Sequence, residues 1–318
     1  MMDETTFVAL VDGRLSEQEG MAFLLSLRDI PITGPMLTFA AKCMRERMSF
    51  IEVLPPLLDT CGTGGDQQAT LNISTAAAFV LAAAGVRVAK HGNRAVSSTS
   101  GSSDVLQALG VAVDQPADVV SHCIEKTNLG FCFAPRFHPR LRSLASLRKQ
   151  LGIPTIFNYL GPLCNPARVD YQLLGVGRVQ MIRPMAEALL SLGVDRAVVV
   201  HGDPGLDEVS LQGQTLAQII ENDAVREERW TASDFGLTPS TVDQLRCCNA
   251  SDSARQLLDI FQGGMSAGRN WVIANAAVGL WVTRRAKTLQ EGVQQADEVL
   301  RSGQVLGVLQ KLQQLCPV

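Results

Sequence analysis

The stretch Asp59-Thr60-Cys61-Gly62-Thr63-Gly64-Gly65-Asp66 packs three glycines and one aspartate into five positions, and Asn72-Ile73-Ser74-Thr75 follows six residues later. With so few side chains in the way, the backbone N–H groups of such a turn can approach a polyanion closely. Ser74 and Thr75 have N-cap chemistry for the helix that the small apolar run Ala76–Ala84 predicts, with Gly85 as its stop. A glycine turn feeding a helix N-terminus is a place to hold phosphates. The spacing is not that of the dinucleotide fingerprint, and the Gly-Lys-Ser/Thr ending of a P-loop is missing. A tight turn without a ligand is the plain alternative.

Three further clusters could do chemistry. Lys90-His91-Gly92-Asn93-Arg94-Ala95-Val96-Ser97-Ser98-Thr99-Ser100-Gly101-Ser102 follows a predicted strand and supplies cations and hydroxyl donors for an acidic ligand. His91 is open to a general-base role, although a lone histidine is more often a hydrogen-bonded structural residue. His201–Ser210 follows a buried strand and carries adjacent Asp207 and Glu208, hard oxygen ligands that reach a polyphosphate through Mg²⁺. Asp203 reads as a turn residue. Arg136, His138, Arg140, Arg142, Arg148 and Lys149 form a basic helical patch, either a wet face or a source of a fork for a substrate carboxylate. Spacing leaves open which arginine points inward.

The elements that must position these groups alternate. Helices are predicted over Ser16–Leu27 and Gly34–Met48, broken by Pro31 and Gly34, and Pro55-Pro56 ends this region. Beyond it the pattern predicts helices at Thr75–Ala84, Ser102–Leu109 and Ala117–Thr127, and strands at Val86–Lys90, Val111–Val113, Gly130–Ala134 and Arg196–Val200. Such alternation implies an α/β fold with a mostly parallel central sheet, and in open sheets of this kind ligands bind at the carboxyl ends of strands. Pro139–Leu151 reads as helix and Pro154–Pro166 as loop. Leu216–Trp230 reads as a hairpin around Asn222-Asp223, and Asn270–Leu315 as helix punctuated by Gly303.

The chain has 318 residues, of which 46 % are hydrophobic and 19 % charged, with a formal net charge of −3. That suits a soluble globular protein and argues against a bulk nucleic-acid binder. No apolar run spans a bilayer, and Met1-Met2-Asp3-Glu4 resembles no signal region, so the expected location is the cytoplasm. The eight cysteines are scattered without a CxxC pair and read as reduced thiols.

Taken together, Gly62–Asp66, Asn72–Thr75, Lys90–Ser98 continuing through Ser100-Gly101-Ser102, Phe133–Pro139, Thr155–Pro166 and Gly205–Ser210 resemble the anthranilate phosphoribosyltransferases, in family order and over nearly the whole chain. The resemblance implies the class-IV phosphoribosyltransferase fold. A small N-terminal helical domain, residues 1–56 joined by a helical segment near 138–166, would precede a large α/β domain, residues 57–318, with helices on both faces of its sheet. It implies transfer of the phosphoribosyl group of phosphoribosyl pyrophosphate to anthranilate, in tryptophan biosynthesis, by a homodimer built through the N-terminal helices. No covalent nucleophile or firm general base is expected. The diphosphate end would meet Gly62, Gly65, Asp66, Asn72, Ser74 and Thr75, with Thr70 and Ile73 in the same stretch. Lys90, His91, Gly92, Asn93, Arg94, Ala95, Val96, Ser97, Ser98 and Ser102 would hold the rest of the donor. Gly62, Asn93 and Arg148 would contact anthranilate, Arg148 through its carboxylate. Two Mg²⁺ ions are implied, one on Ser74 and Glu208, the other on Asp207 and Glu208. A ring-substituted anthranilate as acceptor, a nucleoside phosphorylase on the same scaffold, and a non-catalytic nucleic-acid-binding relative are the rival readings.

Overall fold

A computed structural model describes residues 2–66, 68–95 and 100–318, with the side chains of 141–143 and 145 outside that description. Seven strands form one sheet: β1 (Leu58–Gly62), β2 (Val88–Gly92), β3 (Leu129–Phe133), β4 (Tyr171–Gly175), β5 (Arg196–Gly202), β6 (Thr215–Glu221) and β7 (Ala224–Trp230). Their order across the sheet is β3-β2-β1-β4-β5-β6-β7. The first five are parallel, and β6 and β7 add antiparallel edge strands. The chain therefore reverses its direction of travel between β1 and β4, the crevice where such sheets bind ligands.

Successive strand residues face opposite cores, as the two-residue period requires. Val198 and Val200 of β5 join one apolar cluster, while Ala197 and Val199 join the other. The first cluster is covered by α4 (Ile73–Ala83), α5 (Ser102–Ala108), α6 (Ala117–Thr127), α11 (Ala250–Phe261), α12 (Gly268–Val282), α13 (Leu289–Arg301) and α14 (Gln304–Leu315). The second is covered by α1 (Glu4–Val11), α2 (Glu17–Ser26), α3 (Gly34–Arg45), α8 (Leu141–Leu151), the short α9 (Phe157–Leu160) and α10 (Ile182–Ser191). One further turn of helix, α7 (Ala134–Phe137), continues directly from β3. Helices thus lie on both faces of a mostly parallel sheet, as the alternation predicts.

Several boundaries follow local chemistry. Ser16 caps α2 through a reciprocal bond with Glu19. The turn residues Asn222 and Asp223 take left-handed φ of 51° and 55°, the geometry a two-residue hairpin needs and these residues tolerate. β2 starts at Val88 rather than Val86, because the Val86 N–H bonds back to the Leu81 carbonyl at 2.9 Å and closes α4. The strand predicted at Val111–Val113 is not formed. Val111 makes a single bridge to Pro317, and the Ala112 N–H donates to the Cys316 carbonyl at 2.8 Å. Its valines are apolar because they fill the core. The loop predicted over Pro154–Pro166 contains α9 and a 3₁₀ turn at Gly161–Leu163.

Candidate active site

The first turn leaves β1 at Gly62 and enters α4. Gly64 and Gly65 hold φ of 66° and 78°, which side chains rarely adopt. Asp207, from the loop after β5, lies across the turn: its Oδ2 accepts the Gly64 N–H at 2.7 Å. Gly62 and Gly175 are paired across β1 and β4 beneath it. A Cβ on Gly62 would fall 2.2 Å from Asp207 Oδ2, and one on Gly175 would fall 1.5 Å from the Asp207 carbonyl oxygen. Both strand ends must be glycine for the acidic loop to reach the crevice.

The N-terminus of α4 departs from the sequence expectation. Asn72, not Ser74 or Thr75, precedes the first turn, and no side chain of that residue caps it. The Asn72 side chain is instead tied down, its Oδ1 accepting from Ser100 Oγ at 2.9 Å and from Ser253 Oγ at 2.8 Å. Glu208 supplies the missing acceptor: its Oε1 takes the Ser74 N–H at 2.9 Å. A carboxylate at a helix N-terminus satisfies an orphan donor and meets the positive end of the dipole.

Three acids and one lysine set the charge here. Burial, then the charge of Asp207, pushes Asp66 up to about 7. Burial, then Asp207 again, pushes Glu208 up to about 8. Asp207 is raised by burial too. Lys90 is buried, donates to the Thr60 carbonyl, and lies 3.4 Å from Ser74 Oγ. Burial lowers its pKa, while Asp59, Cys61, Glu208 and Asp207 pull it back up. Asp59 is wholly buried one strand away. It accepts Asn165 Nδ2 at 2.8 Å and the His91 N–H at 3.1 Å, and Asn165 Nδ2 also reaches the Ala89 carbonyl at 2.7 Å. This tie joins β1, β2 and the Asn165-Pro166 segment under the site. Burial raises Asp59 to about 6, against Lys90 and its hydrogen bonds.

The other end of the crevice is aromatic and cationic. His91 Nδ1 lies 2.9 Å from the Gly161 carbonyl, which fixes the proton on Nδ1 and leaves Nε2 a buried acceptor without a partner among the described residues. Burial drives His91 down to about 3 and His138 down to about 4, and their ring centroids are 5.1 Å apart. Two neutral imidazoles therefore stand side by side, and a group titrating near 3 is a poor proton acceptor at neutral pH. Of the basic patch, Arg148 points inward. Its Nη2 makes a long contact of 3.5 Å to Asn158 Oδ1, its Cζ lies 5.9 Å from the Phe157 ring centroid, and burial lowers its pKa. Arg136 is exposed and pairs with Asp114 at 3.2 Å.

Both ends open into one cavity of about 340 Å³. Its wall includes Gly62, Gly65, Asp66, Thr70, Asn72, Ser74 and Thr75 from the first turn and α4. Lys90, His91, Gly92, Asn93, Arg94, Ala95 and Ser102 come from the second turn, and Asp207, Glu208 and Arg148 complete the set. Ile73 is not among them, because its side chain is fully buried in the core. Val96, Ser97 and Ser98 lie outside the described residues. Sequence reasoning assigned no role to Met44, Phe157, Asn158 or Cys164, which also line the cavity, nor to Asp59 and Asn165 beneath it. Asp59 carried a signal: an acid within a buried strand needs a partner. Met44 carried none, being one apolar residue of a helix.

Comparison with known proteins agrees with this geometry. Residues 54–306 match the family described as "Glycosyl transferase family, a/b domain". The anthranilate phosphoribosyltransferase of Petrotoga mobilis is 41 % identical over 310 residues, spanning 97 % of this chain and 90 % of that protein. The crystal structure of anthranilate phosphoribosyltransferase from Thermus thermophilus superposes with a TM-score of 0.90 at 37 % identity, covering 98 % of this chain and 94 % of that one. The Saccharomyces cerevisiae enzyme, solved in complex with phosphoribosyl pyrophosphate and magnesium, superposes with a TM-score of 0.88 at 28 % identity, covering 97 % and 90 %. On the match along its length and the fold it shares with these proteins, the chain belongs to the anthranilate phosphoribosyltransferase family.

Proposed function

We infer that the chain transfers the phosphoribosyl group of phosphoribosyl pyrophosphate to the amine of anthranilate and releases pyrophosphate, a step of tryptophan biosynthesis. One observation carries this reading. The two strand-end turns, Lys90 and the Asp207–Glu208 pair share a cavity with Arg148 and two neutral imidazoles, so a polyanion and an aromatic acid can meet end to end.

An aryl amine is neutral at pH 7 and attacks without a strong base, so His91 acts as a wall rather than a proton acceptor. The chain must hold the amine in line with C1 of the ribose and stabilise the charge leaving with pyrophosphate. In this assignment Gly62, Gly65, Asp66, Asn72, Ser74 and Thr75 meet the diphosphate. Lys90, Asn93 and the serines through Ser102 hold the rest of the donor. Arg148 takes the anthranilate carboxylate, with Asn93 and Gly62 nearby.

Mg²⁺ fits the donor set. Burial first, and the charge of Asp207 second, make Asp66 and Glu208 hold their protons, and burial raises Asp207 as well, so a divalent cation can displace those protons and stabilise the carboxylates. Among the described residues no three side chains of His, Cys, Asp or Glu form a metal cage. That suits an ion that takes one or two carboxylates and leaves its other positions to water and phosphate oxygens. We propose two ions, one held by Ser74 and Glu208 and one by Asp207 and Glu208. When bound they supply Lewis-acid stabilisation of the departing diphosphate.

Three coarser expectations belong with this reading. Residues 1–56, with the segment near 138–166, form a small domain that hinges against residues 57–318; an unchanged radius of gyration with donor and Mg²⁺ present would count against it. The N-terminal helices, where Leu25 is 44 % exposed, make a homodimer that sedimentation tests. The location is the cytoplasm, checked by fractionation; among the described residues no helix is long and apolar enough to cross a membrane.

The direct test mixes the chain with anthranilate, donor and Mg²⁺ and follows loss of anthranilate fluorescence. No loss rejects the reading, and loss only with a ring-substituted anthranilate moves the acceptor to that analogue.

A further inference from the structure

The described cysteines form no disulfide, and all but Cys248 are buried. Two of them nevertheless touch. Cys123 Sγ, on α6, lies 3.4 Å from Cys316 Sγ, in the segment just after α14, and the two are 193 residues apart in the chain. A disulfide has an S–S length near 2.05 Å, so closing this pair needs a shift of about 1.4 Å. There is room for it: both sulfurs line a second, apolar cavity of about 20 Å³ together with Phe79, Leu106, Leu129 and Leu312.

We propose that Cys123 and Cys316 are a dithiol that a peroxide-class oxidant converts to a disulfide, stapling the segment after α14 to α6. Nothing in the proposed transferase reaction uses either residue. Access is through Cys316. Its segment is tied to the fold by the Ala112 N–H donating to the Cys316 carbonyl, by the Cys316 N–H donating to the Leu312 carbonyl, and by the Val111–Pro317 bridge. Local opening of so few bonds exposes the sulfur without unfolding the sheet. Either sulfur of the contact can carry the shared proton, so the segment that opens decides which thiol meets the oxidant. The thiolate is the nucleophile. Cys316 thiolate attacks the peroxide O–O bond, gives a sulfenic acid and releases hydroxide. On reclosure the Cys123 sulfur attacks the Cys316 sulfur. The S–S bond forms as the S–O bond breaks, and the Cys123 proton leaves with the hydroxyl as water. Two electrons pass from the sulfur pair to the peroxide.

The test uses the whole reduced chain treated with a few equivalents of hydrogen peroxide. It is then denatured, alkylated and digested without reductant. The expected product is a peptide pair joined through Cys123 and Cys316, formed before other pairs and reversed by dithiothreitol. Closing a loop of this length constrains the unfolded chain strongly. The thermal midpoint of the oxidised protein should therefore rise by several degrees, a rise absent in Cys316→Ser and Cys123→Ala. Recovery of both residues as alkylated thiols or as sulfinic acids would overturn the proposal. So would a cross-link that leaves the midpoint unmoved, or a rise that persists in the variants. Should a variant fail to fold, the digest of the unaltered chain decides alone.

Discussion

The two ends of the cavity are built by different means. The end proposed to take the diphosphate is made of turns at the carboxyl ends of β1, β2 and β5, each continuous in sequence, and held by bonds from the backbone such as Gly64 N–H to Asp207 and Ser74 N–H to Glu208. The aromatic end is assembled from distant pieces: Met44 of α3, Arg148 of α8, Phe157 and Asn158 of α9, and His91 and His138 from either side. The first end gathers acids whose ionisation burial opposes, around the buried Lys90, while the second holds Arg148 and two imidazoles kept neutral. An end rich in acids and backbone donors suits the departing group, and an aromatic, cationic end suits a flat acid that brings its own nucleophile.

The largest effect should come from the charged end. Glu208→Gln keeps the shape and the Ser74 acceptor but removes a charge. Turnover at limiting Mg²⁺ should fall roughly hundred- to thousandfold, the scale of losing one group aimed at developing charge. Asp207→Asn should behave alike, and unchanged turnover in both would break the contrast between the ends. Gly62→Ala probes the same end by sterics. Its Cβ would sit 2.2 Å from Asp207 Oδ2, so that carboxylate must swing away and release the Gly64 N–H. A displacement of that kind costs roughly a hundredfold in steady-state efficiency. The loss should appear mainly in donor and Mg²⁺ dependence, with a smaller rise in the anthranilate KM because Gly62 also borders the acceptor.

The acceptor end should respond in the opposite column. A charge-assisted hydrogen bond contributes about 1.5–3 kcal/mol, so Arg148→Ala should raise the anthranilate KM roughly ten- to a hundredfold and leave donor affinity alone. A change in donor affinity only would mean that Arg148 belongs to the other end.

This division also explains what the sequence revealed. The turns that line the cavity were legible because glycine spacing, a following helix and an acid pair are local signals. The parallel sheet was legible from alternation, and the hairpin from Asn222-Asp223. β4 was not, although it lies at the centre of the sheet. Its Gln172 interrupts the apolar run, and only the fold reveals that Gln172 Nε2 is satisfied by the Pro162 carbonyl at 2.7 Å and lies 3.2 Å from Cys61 Sγ. Val111–Val113 misled for the converse reason: core valines mimic a strand. Arg148 could not be told from Arg136 by spacing, since they sit on separate helices, α8 and α7, and only the packing of those helices decides which of them meets Asn158 and which meets Asp114.

The smallest effect separates the ends by pH. His91 and His138 are held near 3 and 4, below the ordinary value near 6.5. Between those limits the unfolded chain binds more protons than the folded one, so the pair makes stability rise with pH and fall as pH drops from about 6.5 toward 4. The acids at the other end act with opposite sign. Asp66 and Glu208, raised to about 7 and about 8, make the metal-free protein lose stability as pH climbs from about 4 through those values. The net curve mixes both, so differences are the readout. His138→Gln should recover on the order of 1 kcal/mol of the acid-side loss and leave the alkaline side as it was. Added Mg²⁺ should do the reverse, lifting the thermal midpoint near pH 8 and leaving it unchanged near pH 4, where the carboxylates that would bind it are protonated. A His138 variant whose profile changed only above pH 7 would show that the two ends are not electrostatically separate.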